Sequence, residues 1–280
     1  MIAYHAHPEV WLLIAATACW YEWALRRVGP SRVHPIERVA TRAQVLCFAG
    51  GLLTLWIAAD WPVHDLAERY LFSVHMFQHL LISLVAAPLL MVGTPAWLWR
   101  WLLRPKPVMA AARFFGRPII GLIFFNAVIA FTHAPVVVNT VVVHEGLHFL
   151  MHLLLFSAAI CMFMPVLNPL IELPRLSYPG RMLYLFLMSL LPTVPASFLT
   201  FGHTVLYHHY AVVPRIWGIS ALSDQLYAGL LMKLGGGAIL WGMMSWYFFK
   251  WATAEQREGV DVIELGRLER ELHRAGAPKP

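Results

Sequence analysis

The chain has 280 residues, of which 59% are apolar and only 13% charged, against about 25% charged in an average soluble domain. That leaves too few polar side chains to cover a globular surface, and the mean hydropathy of +0.63 agrees. With 16 Phe, 12 Trp and 12 Met, the chain is not a disordered one either. A polytopic membrane protein is the default class. Cys19, Cys47 and Cys161 form no CxxC pair and sit in apolar stretches, so thiol chemistry is not expected. The 14 histidines almost match the 15 carboxylates, and that ratio needs an explanation.

A helix needs roughly 20 mostly apolar residues to span a hydrocarbon core of about 30 Å. Seven segments qualify in chain order, at about residues 10–25, 43–59, 71–92, 118–133, 147–166, 182–201 and 226–251. The first has no basic residue before it and carries Arg26 and Arg27 at its far end, so it reads as a span and not a cleaved signal. Trp97, Trp99 and Trp101 follow the third span as an interfacial belt. Pro192 and Pro195 are expected to kink the sixth.

Basic residues then set the orientation. Arg26, Arg27, Arg32, Arg38 and Arg42 lie in the first loop, and Arg100, Arg104, Lys106, Arg113 and Arg117 in the third. Arg175, Arg181 and the tail residues from Lys250 onward fall on the same side, whereas the opposite side offers Arg69 and Arg215. The positive-inside rule predicts an N-terminus outside and a cytoplasmic C-terminus, as an odd span count requires. The formal net charge of +6 is therefore a topology signal and implies no nucleic-acid partner. The predicted fold is all-α: a seven-helix transmembrane domain over residues 1–252, then a charged cytoplasmic tail over 253–280. Within the tail, ELGRLERELHR is expected to form a short helix ahead of a frayed end.

On that topology His5, His7, His64, His75, His79, His133, His144, His148, His152, His203, His208 and His209 all fall outside, leaving His34 and His273 inside. One interfacial histidine is usually a solvated residue, but a one-sided dozen points to a functional cluster. His75 and His79 are four apart and share a helix face. His144, His148 and His152 repeat that step twice, descending about 12 Å along one stripe, and His133 ends the fourth span at comparable depth. Imidazole is the commonest metal ligand, and Met76, Met151 and Met232 add soft thioethers, a mix that suits copper better than magnesium or calcium. Ligating imidazoles must be deprotonated, so metal loss is expected below about pH 6.

The seventh span opens with SDQLYAGLLMK, where Ser223 is a possible cap and Asp224 and Gln225 lie in the first turn. Asp224, Ala228 and Met232 share a face, with Gln225 and Gly229 on the neighbouring stripe. The bland reading of the acid is a cap. Lys233 lies deeper on the opposite face, free to snorkel, and is given no role.

His144–Glu145–Gly146–Leu147–His148 fits H-E-x-x-H, the zinc-protease pattern of two helical ligands and a glutamate base. Against it, His152 continues the ladder, no third ligand is evident, and His75 and His79 are left without a role. Haem held by His79 with His148 or His152 is a second alternative, although paired histidines at the inner face are missing from the sequence.

Residues 74–95, VHMFQHLLISLVAAPLLMVGTP, resemble the CtaG family of cytochrome c oxidase assembly factors, and residues 220–232, SALSDQLYAGLLM, are similar to its Asp-Gln-x-x-x-Gly-x-x-Met segment. The resemblance covers about residues 10–250. It implies a non-enzymatic protein of the cell inner membrane that handles copper during maturation of a haem-copper oxidase, with oxidase subunits and the lipid bilayer as partners. It carries over to His75, Met76, Gln78, His79, Asp224, Gln225, Gly229 and Met232, and less closely to His144, His148 and His152. The expected ligands are then His75, His79, His133, His144, His148, His152, Met76 and Met232, with Gln78, Asp224 and Gln225 orienting them. Glu145 departs from the family pattern and keeps the protease alternative open.

Overall fold

The computed structural model describes residues 4–34, 36 and 38–274, with side chains as far as Arg257. Every regular element among the described residues is a helix. In chain order these are α1 (Pro8–Trp23), α2 (Arg42–Ala59), α3 (Val63–Arg69), α4 (Phe72–Leu80), α5 (Ala87–Gly93), α6 (Ala96–Leu102), α7 (Lys106–Phe115) and α8 (Pro118–Thr132). There follow α9 (Pro135–Val141), α10 (Glu145–Leu167), α11 (Tyr178–Leu190), α12 (Thr193–Phe201), α13 (His208–Val212), α14 (Ala221–Leu230) and α15 (Gly236–Arg274). Short π-helical turns extend α1 (Ala24–Val28), join α4 to α5 (Leu81–Ala86) and join α14 to α15 (Leu231–Gly235).

Among the described residues, five stretches are long and apolar enough to cross a bilayer: Arg42–Arg69, Phe72–Gly93, Glu145–Leu167, Tyr178–Phe201 and Ala221–Arg257. α7 and α8, bent by 84° where they meet, make a sixth if taken together. The first of the expected spans is not among them: α1 has 16 residues, about 24 Å of helix against a core of about 30 Å. The chain is thus a multi-pass, all-helical membrane protein. The break expected near Pro192 falls between α11 and α12, because Pro192 has no N–H to carry the ladder on.

Close backbone approach, which small residues permit, sets the packing. A Cβ on Gly93 would lie 2.4 Å from the Phe48 backbone nitrogen, and one on Gly229 would lie 2.5 Å from Thr200 Oγ1. Glycine at these positions lets α5 sit against α2 and α14 against α12. Tyr21 stacks on Phe48 at 3.7 Å and donates its hydroxyl to the Gly93 carbonyl at 2.7 Å. The main core lies between α8, α10, α11 and α15, around Phe125, Leu155, Met162, Phe163, Leu185 and Met188.

Two expectations are corrected. Trp97 is buried, not interfacial, with its indole N–H on the Val39 carbonyl at 2.7 Å, and Trp101 stacks on Trp20. The charged tail is no separate helix but a continuation of α15 to Arg274; the frayed end expected at 275–280 lies outside the described residues.

The starts of α4, α10 and α14 meet the ends of α3, α8 and α12 at one end of the bundle. Tyr207 donates to the His133 carbonyl at 2.9 Å and Tyr210 to the Ala67 carbonyl at 2.7 Å, tying that end together. Away from it, Arg100 pairs with Glu172 at 2.9 Å, and its guanidinium holds that carboxyl below the usual range. Arg181 lies over the rings of Tyr178 and Tyr247.

Candidate metal centre

The site begins with how α4 starts. The residue before it, Leu71, has no side chain to cap with, so the first amides need another partner. Phe72 N–H and Ser73 N–H donate to the two carboxylate oxygens of Asp224 at 2.7 and 3.0 Å. Asp224 is fully buried in the first turn of α14. The cap of α14 itself is Ser220, whose hydroxyl accepts from Ser223 N–H at 3.1 Å, so Ser223 is not the cap. Gln225 accepts from Leu206 N–H at 2.7 Å and donates to the Thr204 carbonyl at 3.1 Å, pinning the segment after α12. Asp224 and Gln225 are occupied in holding backbones together.

With α4 fixed in this way, its His75 meets His148 and His152 of α10. One ring nitrogen from each lies within 4.8 Å of the others. Ring centroids are 5.2 Å apart for His75–His148, 5.9 Å for His75–His152 and 4.3 Å for His148–His152. His79 lies 4.4 Å from His75 and 5.2 Å from His152, and His133 follows 5.7 Å beyond His79. Nδ1 of His75 and His79 and Nε2 of His148 and His152 are buried with no hydrogen-bond partner. Each such orphan costs about 1–3 kcal/mol. Four in one small volume fit the donor set of a bound ion.

The surrounding contacts decide which nitrogens are free. His148 Nδ1 is held by the Glu68 carboxylate, which leaves Nε2 facing the cluster, the carboxylate–histidine arrangement typical of metal ligands. Glu68 also lies 3.4 Å from His64 Nε2. His64 Nδ1 accepts from the Gln78 amide at 3.1 Å, and that amide also donates to the Ala58 carbonyl at 2.8 Å. Gln78 therefore acts on His64, one ring further out than the cluster. His133 Nδ1–H donates to the Ile129 carbonyl at 2.8 Å, and its Nε2 lies 3.3 Å from Met76 Sδ. Met232 lines an apolar cavity together with Met76, His79 and His133.

Other predicted residues fall elsewhere. His144 is the residue before α10, in extended backbone with φ −127° and ψ 97°. Its exposed ring bonds the Thr140 carbonyl at 2.8 Å, and Glu145 is exposed as well. The two histidines of H-E-x-x-H thus do not converge on one point. Lys233, His203 and His208 are exposed, and His209 Nε2–H donates to the Glu68 carbonyl at 2.8 Å.

The N-terminal histidines dock on α3. His7 Nε2 lies 3.2 Å from the buried Asp65 carboxylate; His5 Nδ1, 3.1 Å from the same group, has ion-pair distance without hydrogen-bond geometry. Burial alone would lower the pKa of His7, but the hydrogen bonds and charges of Asp65 and Glu9 outweigh it and raise it above the ordinary value. The His7 ring is 4.9 Å from His64, which is 5.9 Å from His148. Sequence reasoning gave Glu68 no role. Its signal was a carboxylate four residues after His64 in a chain with few charges.

A membrane bundle of apolar helices carrying a knot of buried imidazoles at one end is the class of protein that this fold and site define. A sequence model described as cytochrome c oxidase caa3 assembly factor (Caa3_CtaG) matches residues 13–254, and the chain belongs to that family. No curated protein and no solved structure matches it.

Proposed function

We propose that this protein is a non-enzymatic assembly factor that binds copper in its histidine cluster and hands it to a subunit of a haem-copper cytochrome c oxidase. Membership of the family supplies the link to oxidase assembly. The observation that carries the metal is the convergence of one ring nitrogen each from His75, His148 and His152 within 4.8 Å, in rings that each carry a buried nitrogen with no hydrogen-bond partner. Imidazole suits both copper and zinc, and thioether sulfur beside it favours copper. Haem would use two of these imidazoles, whereas three converge here. The zinc-protease alternative loses support because His144 is exposed and bonded to the Thr140 carbonyl, while His148 is buried beside His75 and His152.

In this reading α1, whose 16 residues are continued by five of π-helix, is the first of seven spans. The N-terminus is then outside, the C-terminus cytoplasmic, and the cluster at the periplasmic face of the inner membrane. His5 and His7 stand at its approach. Mixed His/Met ligation releases an ion as well as holding one, as transfer requires.

The test is metal analysis and an absorption spectrum of the purified protein after growth with copper and haem supplied. Copper without a Soret band is expected, retained in His144→Ala and lost in His148→Ala. Haem in place of copper, or copper undiminished in His148→Ala, overturns the reading.

A further inference from the structure

His133 and Met76 face each other in a way that the three-histidine group does not explain. A carbonyl oxygen only accepts, so the 2.8 Å contact to Ile129 places the ring proton of neutral His133 on Nδ1. The neighbouring Thr132 hydroxyl is engaged with the Val128 carbonyl at 2.9 Å. Nε2 is then an unprotonated lone pair, and 3.3 Å away it meets the thioether of Met76, itself an acceptor. Both residues are buried, with Met76 1% and His133 7% exposed. Two acceptors pressed together without a proton repel unless a cation lies against both.

The space around them is built for one. Met76, His79 and His133 line a cavity of about 50 Å³ whose wall also holds Met188 and Met232 and no charged residue. A separate cavity of about 20 Å³ is bordered by His75, His79 and His148. His79 is the residue common to both, and its buried Nδ1 is without a partner. One side is therefore nitrogen with a carboxylate behind it, through Glu68; the other is nitrogen and sulfur in a neutral, apolar wall.

We propose, on the metal-binding reading above, that the cluster holds two ion sites. His75, His148 and His152 form the first, which accepts borderline divalent ions. Met76 and His133, with His79 shared between the sites, form the second, which selects a soft closed-shell monovalent ion, the class of Cu(I) and Ag(I). Sulfur favours the soft ion, and a cavity without carboxylates disfavours the second charge of a divalent one. A monovalent ion, which the first site also holds, passes to the second by exchanging ligands at His79 with no change of oxidation state.

Zinc and silver separate the sites in the full-length, detergent-purified protein. The unsubstituted chain is expected to bind about two equivalents of Ag(I) but about one of Zn(II), by the softness of the two donor sets. Met76→Leu, a nearly volume-conserving change, should halve the silver and leave zinc untouched, so zinc also reports that the variant is folded. X-ray absorption of Cu(I)-loaded protein needs no substitution for its primary readout: a sulfur neighbour is expected, absent in Met76→Leu. Silver limited to the zinc stoichiometry, or a copper spectrum without sulfur, overturns the second site alone. Binding of neither ion by the unsubstituted protein overturns the parent reading and this one with it.

Discussion

Because a carboxylate accepts and does not donate, the contact of Glu68 with His148 Nδ1 fixes the ring proton there and leaves Nε2 for the cluster. Glu68→Gln keeps the shape and removes the charge that makes the imidazole a better donor. Metal affinity should fall about 10- to 100-fold at unchanged stoichiometry, as read by competition with a chelator. An unaltered affinity would assign Glu68 to packing only. At this scale the four-residue spacing placed His75 and His79, and His148 and His152, correctly on shared faces. It failed for His144 because α10 begins one residue later, so the first rung of the apparent ladder stands outside the helix. Glu68 was not legible, since its partner lies 80 residues away and no spacing rule links them.

Among the elements, α4 and α14 depend on each other. Asp224 supplies the cap that α4 lacks, across 152 residues of chain, and Gly229 lets α14 lie against α12. Asp224→Ala strands one buried and one half-buried amide and should cost about 2 kcal/mol of stability. A lowered thermal midpoint together with weakened metal binding through a displaced His75 is the expected pair of results. An unchanged midpoint with metal lost would instead make Asp224 a ligand. The sequence offered a cap as the plainer reading of this acid but not the helix it caps, because the rule for caps is local and this contact is not. The π turns at Leu81–Ala86 and Leu231–Gly235 were also invisible, since a single residue wound into a helix leaves the hydropathy pattern almost unaltered.

For the molecule as a whole, composition was enough to give an all-helical membrane protein, and the chain is one. The first span was read from residues 10–25, where the helix is short and its apolar run is interrupted by charge. On the proposed topology, His208→Cys in a chain freed of its three native cysteines should react with an impermeant maleimide applied to intact cells with a permeable outer layer. Arg175→Cys should react only after the membrane is opened, and the reverse labelling would invert the topology. On the proposed topology the one-sidedness of the histidines follows from the order of spans alone. Their convergence was expected from matching depths on three helices, but which rings meet was not legible, since that depends on how the spans pack.

The long-range cap also has a consequence in time. A ribosome delivers His75 and His79 into the membrane long before it has made residue 224, and until then the first turn of α4 has two amides with no partner. The ring positions on that turn become fixed only when α14 is inserted. A chain that stops short of α14 thus has little with which to trap an ion, and competence at the site waits for that helix.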